Sequence, residues 1–260
     1  MRAVYAQLID GGCPLIETDL RTAELAKHAS NAFLALKTSY ANAIAGLCER
    51  IDADVVTVAE AMGLDPRIAR GGLDAGLGFG GSCLPADLEI LDDLARRSGY
   101  AFPLLAEIRR LNEEAMERVI DTLVRRLGEL AGRRIALFGL AFKADTDDTR
   151  GSPALKLASR LDELGCEVRG CDPVVSELGS KSSVVTVEDP YRAAENAEAA
   201  VICTPWAEFR SLDLERLRDV MARPLLIDAR NLLDPRAAAA AGIEYVPTGR
   251  PSPNDAGSAP

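Results

Sequence analysis

Histidine is nearly missing from this sequence, with one residue, His28, in 260 positions. None of its six cysteines forms a Cys-x-x-Cys pair. A zinc site draws on clustered cysteine and histidine, so metal binding is not expected; the interval from Cys166 to Cys171 is the nearest approach to a ligand pair. With one histidine no Ser-His-Asp or Cys-His set can be assembled, and "GGSCL" lacks the G-x-S-x-G pattern of a nucleophile elbow. Long apolar runs are absent, as is the charged-then-apolar pattern of a secretory signal, which predicts a cytoplasmic chain with no membrane partner. A basic surplus is absent too. The net charge of -10 argues against nucleic acid as a general partner, since a phosphate backbone is held by basic surface, but it leaves room for a local basic pocket around one nucleotide.

What is present is a soluble composition, 48% apolar, in a length that suits one large domain or two modest ones. Such a chain can bury a sizeable core. In a reducing compartment most of the cysteines read as small buried apolar residues. Cys83 stands apart because of its neighbours.

Four zones follow from patterning. Residues 1–20 hold a short helical fragment, "VYAQLI", and an expected strand, "CPLIETD", too little for a domain. Residues 21–130 are expected to be helical. Leu25, Ala29, Phe33, Leu36, Tyr40, Ile44 and Leu47 recur at steps of three and four, an apolar stripe on a helix that Thr22 can cap and that runs to about Ile51. A shorter helix spans about Asp54 to Met62 and ends at Gly63. After a glycine-rich loop, another runs from Pro85 to about Ser98. A second long helix starts near Pro103 and carries Leu104, Leu105, Ile108, Leu111, Ala115, Val119, Leu123 and Leu127. Two long helices in one small layer suggest a dimer-building core, with a monomeric bundle as the other reading. Residues 131–247 alternate strand and helix: "RIALFGL", "EVRGCDP", "SVVTV", "AAVICT", "PLLIDAR" and "IEYVP" are the expected strands. That alternation predicts a doubly wound, mostly parallel α/β sheet. Residues 248–260 read by composition as a disordered tail.

Three groups of residues carry chemistry. In "GLGFGGSCLPADLEIL", Cys83 ends a glycine run just before a helix. A thiolate is the nucleophilic form of cysteine and a helix N-terminus favours it; Asp87, four residues on, could orient a water while opposing the thiolate. The glycines would let a bulky ligand approach the backbone. The other reading is an inert thiol in a tight turn. Lys27 and Asn31, four apart on the first long helix, share a face distinct from the apolar stripe and can donate to an oxyanion; a solvated polar face is the alternative, and His28 beside them reads as surface or packing. At the strand ends stand Lys143, Arg150, Trp206 and Arg230. Cations there, near the helix that opens at Ser152-Pro153, suit a phosphate, or else Lys143 and Arg150 pair with Asp145, Asp147 and Asp148. The turn after the first strand, Gly139-Leu140-Ala141, is not the G-x-G-x-x-G dinucleotide fingerprint.

Taken together, "AELAKHASNAFLALKTSYANAIA", "GFGGSCLPADL", "GLAFKADTDDTRGSPAL", "CDPVV", "WAEF" and "DARN", in this order and spacing, resemble the UDP-glucose 6-dehydrogenase family of nucleotide-sugar dehydrogenases, from about Tyr5 to Pro247. The resemblance implies NAD as cofactor and a UDP-sugar as substrate, oxidised at C6 from alcohol to acid through a thiohemiacetal and a thioester on the residue matching Cys83. It implies that Lys27, Asn31 and Asp87 stabilise oxyanions and place the water, that Phe79, Gly80, Gly81, Lys143 and Arg230 hold the substrate, and that Arg150 serves the cofactor. It also implies a helical central dimerisation domain and a Rossmann-like UDP-binding domain, with residues 1–20 a remnant of an N-terminal NAD-binding domain that a separate chain could supply. The family's usual lysine before the aspartate is Ala86 here. Two further readings stay open: a non-catalytic dimerising module that binds UDP-sugar, and a helical-domain dehydrogenase of hydroxyacids, which would leave Cys83 and the sheet idle. The sugar itself stays open.

Overall fold

A computed structural model describes residues 2–179, 182 and 184–253. Its first part is helical: α1 (Ala6–Asp10), α2 (Leu20–Ile51), α3 (Val55–Gly63), α4 (Cys83–Arg97) and α5 (Pro103–Leu127). The second part alternates: β1 (Arg134–Phe138), α6 (Pro153–Glu163), β2 (Glu167–Cys171), β3 (Val185–Thr186), α7 (Pro190–Ala194), β4 (Ala199–Ile202), α8 (Leu214–Val220), β5 (Leu225–Asp228), α9 (Pro235–Ala240) and β6 (Glu244–Pro247).

All six strands are parallel, in the order β3-β2-β1-β4-β5-β6. The chain winds outward from β1 in one direction and then from β4 in the other, so strand order reverses between β1 and β4. Ile135 pairs with Val168 on one side and Ala199 on the other. β4 and β5 are buried at every position and β1 at all but its first. Strands covered on both faces read as unbroken apolar runs, which is why the alternation of the sequence predicts them. The short α7 and a 3-10 turn at Ala207–Ser211 go beyond that expectation; Asp189 caps α7 by accepting the Tyr191 N–H.

The helical part departs from its expected packing. α2 buries small residues: Ala32 and Ala35 pack with α4 and α5, Ser39 donates to the Ile108 carbonyl of α5, and Ala45 packs with Val55 of α3. Four large residues of the stripe face outward, Phe33 at 61% exposed, Leu47 50%, Tyr40 48% and Leu25 46%, while Leu36 and Ile44 are partly buried. Small side chains let helices approach closely, so the bulky face is the one this chain leaves uncovered. The cap also differs. Asp19, not Thr22, begins α2, its carboxylate accepting the Thr22 N–H at 3.1 Å and hydroxyl at 2.7 Å. α4 begins two residues earlier than expected, at Cys83 itself.

"CPLIETD" forms no strand. An isolated extended segment has no neighbouring strand to satisfy its backbone, and Gly12–Asp19 lies exposed. The expected tail is a second correction. Gly249 accepts the Val55 N–H at 2.9 Å and donates its own N–H to Glu49 at 3.0 Å, and Arg250 pairs with Asp54 at 3.1 Å. Residues 248–253 thus strap the sheet to α2 and α3; the rest of that stretch lies outside the described residues.

One helix joins the two parts. Leu105 and Ile108 of α5 pack with α2 and α4, whereas Val119, Leu123 and Leu127 belong to the core beneath the sheet.

Candidate active site

Cys83 is the first residue of α4, and its side chain is exposed. The loop that delivers it is held by two asparagines. Buried Asn42 accepts the Gly76 N–H at 2.7 Å. Asn112 of α5 accepts the Phe79 N–H at 2.7 Å and donates to the Phe79 carbonyl at 3.1 Å, clamping that half-buried residue. The glycines have a reason different from the one expected. A Cβ on Gly76 would lie 2.6 Å from the Ala229 carbonyl oxygen, and one on Gly81, whose φ is +80°, would lie 2.8 Å from the Phe142 ring. At Gly80 a Cβ would overlap the Gly151 carbonyl and stand 2.7 Å from Pro153. The space is filled by the α/β half of the same chain. The loop is pressed between the two parts, and Cys83 stands at their junction.

One turn along α4, Asp87 is 2% exposed. Lys27 donates to both of its oxygens at 2.5 Å. Asn31 donates from Nδ2 to Oδ2, and His28 Nδ1 meets Oδ1 at 2.8 Å. Burial alone would raise the carboxyl; hydrogen bonds from Lys27, Asn31 and His28, with the lysine charge, outweigh it and hold the group below its ordinary value. Residues four apart on a helix share a face, so Cys83 and Asp87 point to one side of α4, where α2 brings Lys27 and Asn31. Lys27 remains half exposed while Asp87 is enclosed. The lysine has a third N–H and the asparagine amide a second, so both keep a donor for a further oxygen. Ala86 beside Asp87 is exposed.

The strand-end cations divide. Arg150 pairs side-on with Asp148, at 3.0 and 2.7 Å. That bond raises the guanidinium above its usual value, and Cys83 lies near enough to add to the effect. Lys143 has no carboxylate partner among the described residues; it lies over the Phe142 ring, 5.6 Å from its centre. Since that ring packs on Gly81, Lys143 belongs to the cysteine junction. Arg230 donates from Nε to the Cys203 carbonyl at 2.6 Å, and its Nη1 lies close to Gly76. Burial lowers its guanidinium. Trp206 is structural: buried, it donates to Asp172 at 3.1 Å.

Asp172 decides whether this sheet suits a dinucleotide. Its Oδ2 accepts the Leu140 and Ala141 N–H groups at 2.6 and 3.0 Å. Those are amides of the turn after β1, where a pyrophosphate would have to be received. A Cβ on Gly139 would stand 2.8 Å from the Thr204 nitrogen, so that turn is closed by protein. The residues described do not fit a dinucleotide at this place. At the end of β5, Asp228 plays a similar part, accepting N–H bonds from Arg230, Leu232 and Leu233 and the Tyr245 hydroxyl.

Sequence reasoning passed over His28, Asn112, Asp172 and Asp228. His28 had a signal, its place between Lys27 and Asn31, but its direction depends on α4, which no local pattern reveals. Aspartate just after an apolar strand, in "CDP" and "IDAR", is a legible sign of a carboxylate gathering loop amides. Asn112 has none.

The central-domain profile of the UDP-glucose/GDP-mannose dehydrogenase family matches residues 21–114, and that family's UDP binding domain matches residues 136–235. UDP-glucose 6-dehydrogenase TuaD of Bacillus subtilis is 41% identical over 242 residues, 92% of this chain and 52% of that protein. UDP-glucose 6-dehydrogenase of Rhizobium meliloti is 41% identical over 256 residues, 96% of this chain and 58% of that one. Among solved structures, a UDP-glucose dehydrogenase from the archaeon Pyrobaculum islandicum superposes with a TM-score of 0.78 at 37% identity, covering 89% of this chain and 52% of that one. The chain spans about half the length of the curated relatives it matches.

Proposed function

The chain belongs to the UDP-glucose/GDP-mannose dehydrogenase family, its two matched domains together covering most of its length, and from that premise we propose that it supplies the sugar-binding and covalent-catalysis part of a nucleotide-sugar dehydrogenase, with UDP-glucose as the first substrate to try. The observation that carries this reading is the Asp87 cluster one helical turn from an exposed Cys83, with Lys27 and Asn31 arriving from α2.

In this proposal the nucleotide end lies along Lys143 and Arg230, beside Phe79, Gly80 and Gly81, and directs C6 of the sugar toward Cys83. At the aldehyde level the thiolate adds to C6. A C–S bond forms, the carbonyl pair moves to oxygen, and that oxyanion takes the spare donors of Lys27 and Asn31. At the acyl level water adds to the thioester, Asp87 accepts its proton, the C–S bond breaks and the thiolate leaves with the carboxylic acid formed. The two oxidations at C6 each send two electrons to an acceptor. In the family resemblance that acceptor is NAD, and since the sheet described here does not receive a dinucleotide, the proposal assigns NAD to residues beyond this chain's match.

A homodimer through α2 completes the proposal. Leu25, Phe33, Tyr40 and Leu47 recur about every seven residues on one exposed face, the pattern of a helix that lies against another. Phe33→Glu should convert a dimer to a monomer in sedimentation.

The activity test supplies UDP-glucose, NAD and a relative's NAD-binding half together with this chain. NADH should form, and Cys83→Ser should remove it. Without NADH or calorimetric binding of UDP-glucose, the proposal fails. UDP-glucose binding without NADH, and with ordinary alkylation kinetics at Cys83, would favour a non-catalytic sugar-binding module.

A further inference from the structure

Away from the cysteine junction, the last turn of α2, the middle of α5 and the ends of β5 and β6 border a cavity of about 630 Å³ that opens to solvent. Cys83, Asp87, Lys143 and Arg230 are not among its lining residues. Five arginines reach its wall; Arg126 and Arg250 are paired with Glu244 and Asp54, which leaves Arg50, Arg118 and Arg125 facing it. Arg118, on α5, is 14% exposed, and its Nε and Nη2 are buried without a hydrogen-bond partner. These two N–H groups form one edge of the guanidinium, the edge that grips two oxygens at once. The nearest carboxylate, Glu49, stands 4.0 Å from Nε and has its other oxygen occupied by the Gly249 N–H. Burial pushes the Arg118 guanidinium down from its usual value, outweighing the opposing charges of Glu49 and Glu114.

A buried guanidinium with an empty edge is a destabilising arrangement unless an anion completes it. Ile227, Val246 and Pro247 supply an apolar wall opposite, and the volume is that of a site for a molecule of nucleotide size. We propose that this cavity is a second anion site, separate from the sugar-nucleotide site, in which Arg118 binds a phosphate group side-on while Arg50 and Arg125 close over it. The ligand class is a phosphate ester of up to nucleotide size. Pro251 and Ser252 of the strap form part of the wall, so occupancy would also tighten the junction between sheet and helices.

Inorganic pyrophosphate is the probe. The full chain carrying Lys143→Met and Arg230→Met, which disables the other phosphate site, should still bind pyrophosphate in calorimetry and show a higher melting temperature in its presence. Adding Arg118→Met should weaken binding by about thirtyfold or more. Should that variant not fold, Arg50→Gln with Arg125→Gln, both at exposed positions, should weaken binding about tenfold in its place. An unchanged titration in whichever variant folds, or no binding by the parent, would overturn the site. Citrate binding as tightly as pyrophosphate would overturn the assignment to phosphate.

Discussion

Asp87 and Asp228 are both buried aspartates with several hydrogen bonds, yet they are built in opposite ways. Asp228 is surrounded by donors of its own half: three backbone N–H groups from the loop after β5 and one tyrosine hydroxyl. Asp87 takes its side-chain partners, Lys27, His28 and Asn31, from a different helix, and two of them, Lys27 and His28, can carry charge. Backbone donors cannot leave without unmaking the loop. Side-chain donors on a neighbouring helix can turn to a ligand and back. The first arrangement fixes shape, and the second keeps protons and charge available beside an exposed thiol.

Breaking that contrast is the sharpest test. Asp87→Asn should lower turnover about 10²–10⁴-fold in the reconstituted assay, with a stability loss of only about 1 kcal/mol, because Lys27 already faces water and re-solvates. Asp228→Ala should do the reverse, costing about 3–5 kcal/mol in denaturant unfolding, since four donors lose one buried charged acceptor. Equal stability losses at the two positions would erase the distinction. A smaller effect concerns the pressed loop: Gly80→Ala should destabilise by about 1–3 kcal/mol through overlap with Gly151 and Pro153, with no ligand present. If it unfolds like the parent, the space at Gly80 is not filled by protein. The smallest effect is in acid. Because Asp87 is held below its unfolded value of about 3.9, its contribution is complete above that pH and is lost as pH falls through the lower folded value. The stability gap between the parent and Asp87→Asn should therefore shrink below about pH 4; a gap that widens there would contradict the geometry.

Where the sequence is legible, periodicity or chain neighbourhood is the cause. β1, β4 and β5 follow from apolar runs between turns, and Lys27 and Asn31 share a face by their spacing alone. Where it is not, the deciding partner is distant. The stripe of Leu25, Phe33, Tyr40 and Leu47 reads as an apolar face, but periodicity does not say what covers it, and α4 and α5 take the alanine face instead. The glycines before Cys83 announce close approach but not of what; Arg230, Gly151 and Phe142 lie far along the chain. His28 reads as incidental until α4 sets Asp87 above it. The stretch 248–253 has the composition of a loose end, and only its distant partners Val55, Glu49 and Asp54 show that it is tied.

The sharing of α5 between two cores has a mechanical consequence. A rod embedded at one end in the α2–α4 packing and at the other beneath the sheet transmits torque, and the Gly249–Val55 strap resists rotation about it like a second hinge pin set off the axis. The two halves are therefore braced as a single stiff frame, and any gating at the cysteine junction must come from side chains such as Lys143 and Phe142, or from whatever closes over the exposed face of Cys83.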